Sequence, residues 1–252
     1  MSRWLAVLRE NHHRDTEHTE VARRRLKPVY SIGFPIFLFL VCAVAAQQQP
    51  NAPVQTAQPP VIEWRDDFDG DKLDEAKWEP FTFEGGSGGK IEVKNNQLKM
   101  RGAGISRSGV RTKQSFHGDR FYVEGALAKV GPRVPQPGEA SFPPGYAIVT
   151  VLFDGNPNYR VEWLLRSDGI LEAWQSFDGR LTRLDKGNLA TKEQTPQLGI
   201  ARRGEKIYFM LNREVGLESS ARGLSLDFKV MVYGFGSSEN NWESVAVQTL
   251  KQ

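Results

Sequence analysis

The sequence predicts an all-β protein in which two antiparallel sheets pack face to face. Apolar and polar residues alternate through residues 90–101, on either side of Asn95-Asn96, which is the pattern of a half-buried hairpin. Residues 146–153 are almost continuously apolar and rich in branched side chains, as in a strand buried on both faces. Asp168-Gly169 and Asp178-Gly179 each separate two strand-like runs, and this dipeptide is a strong hairpin signal.

Further segments bring the total to about a dozen predicted strands. They have the same β-type pattern and cover residues 120–128, 206–213, 224–235 and 244–250. No segment shows the 3.6-residue periodicity of a convincing amphipathic helix. A sandwich of two sheets is the natural way to bury so many strands without helices.

The chain divides into a leader, a linker and one folded domain. Residues 1–46 contain a basic stretch, an apolar run at 28–46 and small residues before Gln47, which is the pattern of a cleaved secretory leader. An uncleaved signal anchor is the alternative, and it would be the chain's only contact with a membrane. Residues 47–60 are rich in Gln and Pro and predict a flexible linker, so residues 61–252 form the domain. We expect an exported protein that is periplasmic, cell-surface or extracellular.

Charge and cysteine content exclude several classes of function. The leader contains seven of the 33 Lys and Arg and four of the 30 Asp and Glu, which leaves 26 of each in the rest of the chain. This neutral balance gives no reason to expect nucleic acid as a partner. Cys42 is the single cysteine and lies in the leader, so the domain has no disulfide and no thiolate site. His117 is the one histidine outside the leader, and we predict no cofactor.

Residues 66–75, Asp-Asp-Phe-Asp-Gly-Asp-Lys-Leu-Asp-Glu, raise the question of a calcium site. An EF-hand loop that began at Asp67 would need Gly at its sixth position and Glu at its twelfth. The sequence has Lys72 and Trp78 there, so the EF-hand interpretation fails. A structural calcium in another geometry, with Asp67 and Asp69 as ligands, remains an alternative to a hydrated acidic turn.

The same stretch carries a family resemblance. With Phe68, Leu73 and Trp78 at their spacing, it resembles the first strand and turn of the concanavalin A-like lectin and glucanase superfamily, which includes glycoside hydrolase family 16 and laminin G-like domains. Residues 198–209 resemble the paired late strands of such domains. The resemblance implies a jelly-roll sandwich in which the three apolar residues are core anchors. The catalytic string Glu-x-Asp-x-x-Glu of family 16 is absent from this sequence.

Without that string, we predict a non-catalytic module that binds a carbohydrate or a surface. A divergent glycoside hydrolase is the first alternative, because hydrolysis needs two carboxyl groups that face each other across the bond. Glu162 would be one of them, and Glu172 or Glu124 the other. A structural envelope domain that docks another protein, and binds no sugar, is the second alternative.

The turn at Asp168-Gly169 decides which side chains share a face. A two-residue turn pairs Trp163 with Trp174 and turns Glu162 away from Glu172, whereas a three-residue turn places both glutamates on one face. The Asp-Gly dipeptide favours the two-residue turn.

In the two-residue register the paired tryptophans would form a glycan platform. Sugar rings stack on indoles, and charged or amide side chains bind hydroxyl groups. Arg160, Glu162 and Gln175 flank Trp163 and Trp174, so these five residues are the predicted polysaccharide or glycan site. The alternative is that both tryptophans face the core.

Overall fold

The computed structural model describes residues 61–83, 89–102, 107–135 and 143–250. The predicted leader and linker lie outside these residues. Within the described ranges the chain forms strands and loops and contains no α-helix. These residues therefore include no helix that could cross a membrane.

Sixteen strands are present in the described part of the chain. In chain order they are β1 (Val61–Asp66), β2 (Trp78–Thr82), β3 (Lys90–Val93), β4 (Leu98–Arg101), β5 (Arg107–Thr112), β6 (Phe116–His117), β7 (Arg120–Val130), β8 (Tyr146–Phe153), β9 (Arg160–Arg166), β10 (Leu171–Phe177), β11 (Arg180–Arg183), β12 (Gln197–Arg203), β13 (Lys206–Leu211), β14 (Glu214–Ser220), β15 (Asp227–Phe235) and β16 (Glu239–Leu250).

The strands form two antiparallel sheets, which confirms the predicted fold class. Sheet A has the order β14-β13-β12-β7-β16-β4-β3, with β1 paired to β16. Sheet B has the order β11-β10-β9-β8-β15-β5-β2, with β6 paired to β15. Neighbouring strands are often far apart in sequence, as in β8 beside β15 and β7 beside β16. Such non-local pairing is typical of a jelly roll rather than of a chain of simple hairpins.

The hydrophobic core lies between the two sheets. Alternate residues of each strand point inward, so Val149, Val151 and Trp163 of sheet B belong to the same cluster as Val123 and Ile200 of sheet A. The side chains that alternate with these in sheet B point away from sheet A. We call this second side the outer face of sheet B.

The core anchors predicted from the acidic stretch lie where the resemblance places them. Phe68 and Trp78 are buried in the core, and Leu73 packs against it. Asp66 is buried as well: its Oδ2 accepts the indole N–H of Trp78 at 2.7 Å, and its Oδ1 accepts the backbone N–H of Phe68 at 3.1 Å. The first acid of the stretch therefore holds two core anchors in place.

The register of the β9–β10 hairpin differs from the predicted one. Arg166 N donates to Ile170 O at 2.9 Å and Gly169 N to Arg166 O at 2.9 Å, so the connection contains three residues. Trp163 therefore pairs with Ala173, and Trp174 pairs with Glu162. The prediction of a two-residue turn is wrong. A turn that ends in a glycine with φ of +86° is the common three-residue alternative.

A candidate functional site on the outer face of sheet B

The outer face of sheet B carries an apolar cluster that is separate from the core. Side chains from three strands, β8, β9 and β15, and from the segment after β2 build it, with three partly buried aromatic residues at its margin. The members are Phe83, Ile148, Leu152, Leu164, Met231 and Tyr233, with Phe81, Tyr146 and Trp174 packed against them. Polar and charged side chains lie among these residues, and they are the candidates for function.

Glu162 lies in the middle of sheet B and is buried. Its Oε1 accepts hydrogen bonds from Arg160 Nε at 2.5 Å and from the Tyr233 hydroxyl at 2.8 Å. Burial raises the pKa of Tyr233 well above its ordinary value, and the charge of Glu162 raises it further. The phenol therefore stays protonated and acts as a donor to the carboxylate.

Arg160 connects this carboxylate to the aromatic part of the face. One of its guanidinium nitrogens, Nη1, donates to the backbone carbonyl of Pro157. Its Cζ lies 4.8 Å from the centre of the Phe83 ring, and Arg107 Cζ lies 4.8 Å from the same ring. At this distance a cation is attracted to the ring electrons. Two guanidinium groups thus lie next to the Phe83 ring, and one of them binds Glu162.

Glu172 and Trp174 form a second polar group on β10. The indole N–H of Trp174 donates to Glu172 Oε2 at 3.0 Å. Nη1 of Arg166 and Nη1 of Arg183 lie 3.5 Å and 3.6 Å, respectively, from Glu172 Oε1. Glu172 is buried, whereas Trp174 is only partly buried and is the cross-strand neighbour of Arg183. An indole at the margin of the face is therefore fixed in orientation by a carboxylate.

The observed register brings the two glutamates to the same face. Glu162 pairs with Trp174, and Glu172 is two residues from Trp174 on the same strand. Diagonal neighbours of this kind are about 7–8 Å apart, measured between the residues rather than between their carboxyl groups. The two glutamates predicted as the alternative catalytic pair therefore lie on one face, through the register that the dipeptide did not favour.

Trp163 does not take part in this face. Its side chain is 1% exposed and packs against Phe209 of sheet A, with ring centres 5.6 Å apart. Its indole N–H donates to Met210 O at 2.8 Å. Alternation along β10 also places Gln175 on the same side as Ala173, which faces the core. The prediction that Trp163 and Trp174 form one platform is therefore wrong, and Arg160, Glu162 and Trp174 are the predicted ligand residues that share a face.

Glu124 lies on the opposite side of the sandwich. It belongs to β7 of sheet A and alternates with core residues such as Val123, so it points away from sheet B. Its Oε2 accepts the Tyr122 hydroxyl at 2.6 Å and Arg213 Nε at 3.1 Å. Burial, and then the bond to Glu124, raise the pKa of Tyr122. The core separates Glu124 from Glu162, so its pairing with Glu162 in a catalytic centre is wrong.

The acids proposed as calcium ligands are placed in an exposed turn. Asp67 Oδ1 accepts Arg65 Nε at 2.7 Å, and Asp69 is exposed. The described residues contain no cluster of three or more His, Cys, Asp or Glu that could hold a metal ion. The hydrogen bonds of Asp66 to Trp78 and Phe68 account for the first acid of the stretch.

The sequence did not single out Phe83, Arg107, Arg166, Arg183 or Tyr233 as residues of this face. The alternation within residues 224–235 predicts a strand, but it does not tell which strands lie beside it. Tyr233 reaches Glu162 only because β15 pairs with β8, and β8 with β9. The position of Arg183 opposite Trp174 could have been inferred from the Asp178-Gly179 hairpin.

Comparison with known proteins identifies the fold. No protein-family model and no curated protein matches the sequence. Among solved structures, an endo-β-1,3-glucanase from Pyrococcus furiosus has a TM-score of 0.53 at 14% identity, covering 75% of this chain and 94% of that one. A non-specific endo-β-1,3(4)-glucanase of glycoside hydrolase family 16 has a TM-score of 0.55 at 11% identity, with coverage of 77% and 93%.

A lectin-type domain is similar to the same degree. The carbohydrate recognition domain of Emp47p has a TM-score of 0.50 at 13% identity, covering 73% of this chain and 93% of that one. These neighbours have the concanavalin A-like jelly roll, and so does this chain. At such low identity the likeness establishes the fold and leaves the function to be argued from the site.

Proposed function

We propose that this chain is an exported, non-catalytic carbohydrate-binding module that holds a glycan on the outer face of sheet B. The observation that carries the proposal is Trp174, a partly exposed indole fixed by Glu172 at the edge of a face that also holds Arg160, Glu162 and Tyr233. A sugar ring stacks its C–H groups on an indole, while carboxylate and guanidinium groups bind its hydroxyls. The glucanase and carbohydrate-recognition structures with this fold support the same class of ligand.

Trp174→Ala should weaken glycan binding at least tenfold while the protein remains folded. The substitution removes the stacking surface, and Trp174 is not part of the core between the sheets. The measurement is a titration of the full chain with soluble β-glucans, xylans, galactans and alginates, by tryptophan fluorescence and by calorimetry. Circular dichroism and thermal unfolding check the fold.

Phe177→Ala is the matched control for this experiment. Phe177 lies on the same strand as Trp174 but is 46% exposed and packs against Tyr159, away from the outer-face cluster. The Phe177→Ala variant should bind glycan with the affinity of the unmodified chain. Equal affinity of Trp174→Ala and the unmodified chain, or no binding across the panel, would contradict the proposal.

A divergent glycoside hydrolase is the second candidate, favoured by the register that places Glu162 and Glu172 on one face. Hydrolysis would release new reducing ends from a bound glycan, and Glu162→Gln would stop this release while binding persisted. We rank this candidate second because Arg160, Tyr233 and Trp174 already donate to the carboxylate oxygens that would have to react. A reducing-end assay that stays flat with a glycan shown to bind would exclude it.

The exposed apolar side chains give little support to the alternative of a structural domain that docks another protein. The large exposed apolar side chains among the described residues lie on five separate segments, at Val61, Val134, Phe177, Val215 and Leu226. A docking surface usually presents a contiguous apolar patch. The outer face of sheet B, with its mixture of aromatic and charged groups, suits a glycan better.

A further inference from the structure

We infer that the outer face of sheet A, the side that points away from sheet B, carries a second binding site, for a phosphorylated sugar. The site lies where β3 and β4 meet the first residues of β16. The core separates it from the proposed glycan face, and the inference does not depend on that proposal. It is drawn from a pocket, an excess of positive charge and an amide oxygen that lacks a donor.

A pocket of about 260 Å³ opens between these strands, and Met100 and five charged residues line it. The charged residues are Lys90, Glu92, Lys99, Arg101 and Glu239. Val93 of β3 and Leu98 of β4 belong to the core, so alternation places the charged side chains on the outer face. Pockets for drug-sized ligands measure about 300–1,000 Å³. This one therefore suits a smaller ligand, of the size of a single sugar phosphate.

Positive charges outnumber negative charges around this pocket. Lys129 of β7 lies beside it, because its Nζ is 3.3 Å from Oε1 of Glu239. With this lysine, four cations surround two carboxylates. Lys94 and Glu243 are exposed residues further out, and their opposite charges leave the excess at two. A phosphate monoester carries a charge of about −1.5 to −2 at pH 7, which matches this excess.

The two carboxylates do not neutralise all four cations. Glu92 Oε2 pairs with Lys90 Nζ at 2.6 Å, and Glu239 is shared by the lysine of β7 and Arg101, whose Nη2 is 2.9 Å away. Among the described residues Lys99 forms no hydrogen bond and no ion pair. All three N–H donors of its ammonium group are therefore available to a ligand. Lysine binds phosphate in this way, as a point charge.

An amide oxygen next to the lysines lacks a hydrogen-bond donor. Asn241 of β16 pairs with Lys99 on one side and with Lys129 on the other, so the three side chains share a face. Asn241 is 7% exposed, and within the described ranges its Oδ1 accepts no hydrogen bond. A buried amide oxygen normally has a donor. A sugar hydroxyl supplies one, and the carboxylates of Glu92 and Glu239 accept others, so a phosphorylated sugar suits this place better than a phosphate ion.

The test compares small sugars that differ in charge. The full chain is titrated by calorimetry with glucose 1-phosphate, glucose 6-phosphate, glucose 6-sulfate and glucose at one ionic strength. We expect at least one phosphate ester to bind tenfold or more tightly than glucose and than the sulfate ester, which carries a single negative charge. Its affinity should fall as the pH is lowered through about 6, where the phosphate loses its second charge. It should also fall as salt rises, because exposed charges are screened.

Lys99→Gln should weaken binding of that phosphate ester at least tenfold. Because Lys99 has no hydrogen bond or ion pair within the described part of the chain, the variant should fold normally, which thermal unfolding checks. Lys206→Gln is the matched control. It removes one positive charge from the same face of sheet A, but Lys206 lies on β13 and pairs with Glu218 at 2.7 Å. The control variant should bind the ester with the affinity of the unmodified chain.

The outcomes separate this site from the proposed glycan face. Trp174→Ala should leave binding of the phosphate ester unchanged, because Trp174 belongs to sheet B. Equal affinity for glucose and its phosphate esters, or no binding of either ester, overturns the second site and leaves the glycan-binding function standing. Binding of the ester that is unchanged in a folded Lys99→Gln, or lost in Trp174→Ala, overturns the assignment to the pocket of sheet A.

Discussion

Trp163→Ala should lower the free energy of unfolding by about 3–5 kcal/mol, the usual cost of removing a buried large aromatic side chain. Trp163 is among the largest fully buried side chains, and its loss would leave a cavity between Phe209 and the rest of the core. Met210 O would also lose the hydrogen bond that it accepts from the indole N–H at 2.8 Å. For a domain of this size the loss corresponds to a fall in Tm of about 6–20 °C.

The comparison with Trp163→Phe separates the packing from the hydrogen bond. Phenylalanine keeps an aromatic ring against Phe209 and removes only the indole donor and part of the volume, so we expect less than half of the loss found for alanine. Chemical denaturation measured by fluorescence and circular dichroism gives both values. A loss below about 1 kcal/mol for Trp163→Ala would contradict the core position of this residue.

Trp163 and Trp174 illustrate what the sequence could predict of this site. The residues that bear the chemistry could be found from their types and spacing, and Arg160, Glu162 and Trp174 do share a face. Which side chains of β9 share a face with Trp174 depends on whether the turn has two or three residues, because side chains of a strand alternate with a period of two. A wrong turn length therefore placed Trp163, rather than Glu162, opposite Trp174.

The two Asp-Gly hairpins show why this error could not be avoided from the dipeptide alone. At Asp178-Gly179 both residues have positive φ, +51° and +77°, and the strands pair Phe177 with Arg180 as in a two-residue turn. At Asp168-Gly169 only the glycine has positive φ, at +86°. Here Asp168 accepts hydrogen bonds from Nε and Nη2 of Arg166, and the turn contains three residues. The same dipeptide supports both geometries.

The fold was easier to predict than the site because it depends on many weak signals that agree. Alternation in a dozen segments, the absence of helical periodicity and the anchors Phe68 and Trp78 all indicate a sandwich. The sequence does not predict which strands are neighbours in a sheet. For example, β15 lies between β8 and β5, which are distant from it in sequence. Tyr233 became part of the site through this non-local pairing.

Removing either Arg160 or Glu162 alone should lower the free energy of unfolding more than removing both residues of this buried pair. Arg160→Met leaves Glu162 buried without its guanidinium, and Glu162→Leu leaves Arg160 buried without its carboxylate. Breaking a buried ion pair in this way costs about 3–5 kcal/mol, because a charge remains in a poorly hydrated site. The double variant removes both charges and keeps the volume apolar beside Phe83 and Tyr233, so it should be more stable than either single variant.

A double-mutant cycle of unfolding free energies measures this coupling. If the losses of unfolding free energy were additive, so that the double variant was less stable than either single variant, the buried ion pair would be contradicted. The double variant also tests what the pair does for the proposed function, because it keeps a folded face that lacks both Arg160 and Glu162. If it binds glycan with unchanged affinity, Arg160 and Glu162 only support the face, and Trp174 with its neighbouring arginines carries the recognition. If it is folded and binding is lost, Arg160 or Glu162 itself contacts the sugar.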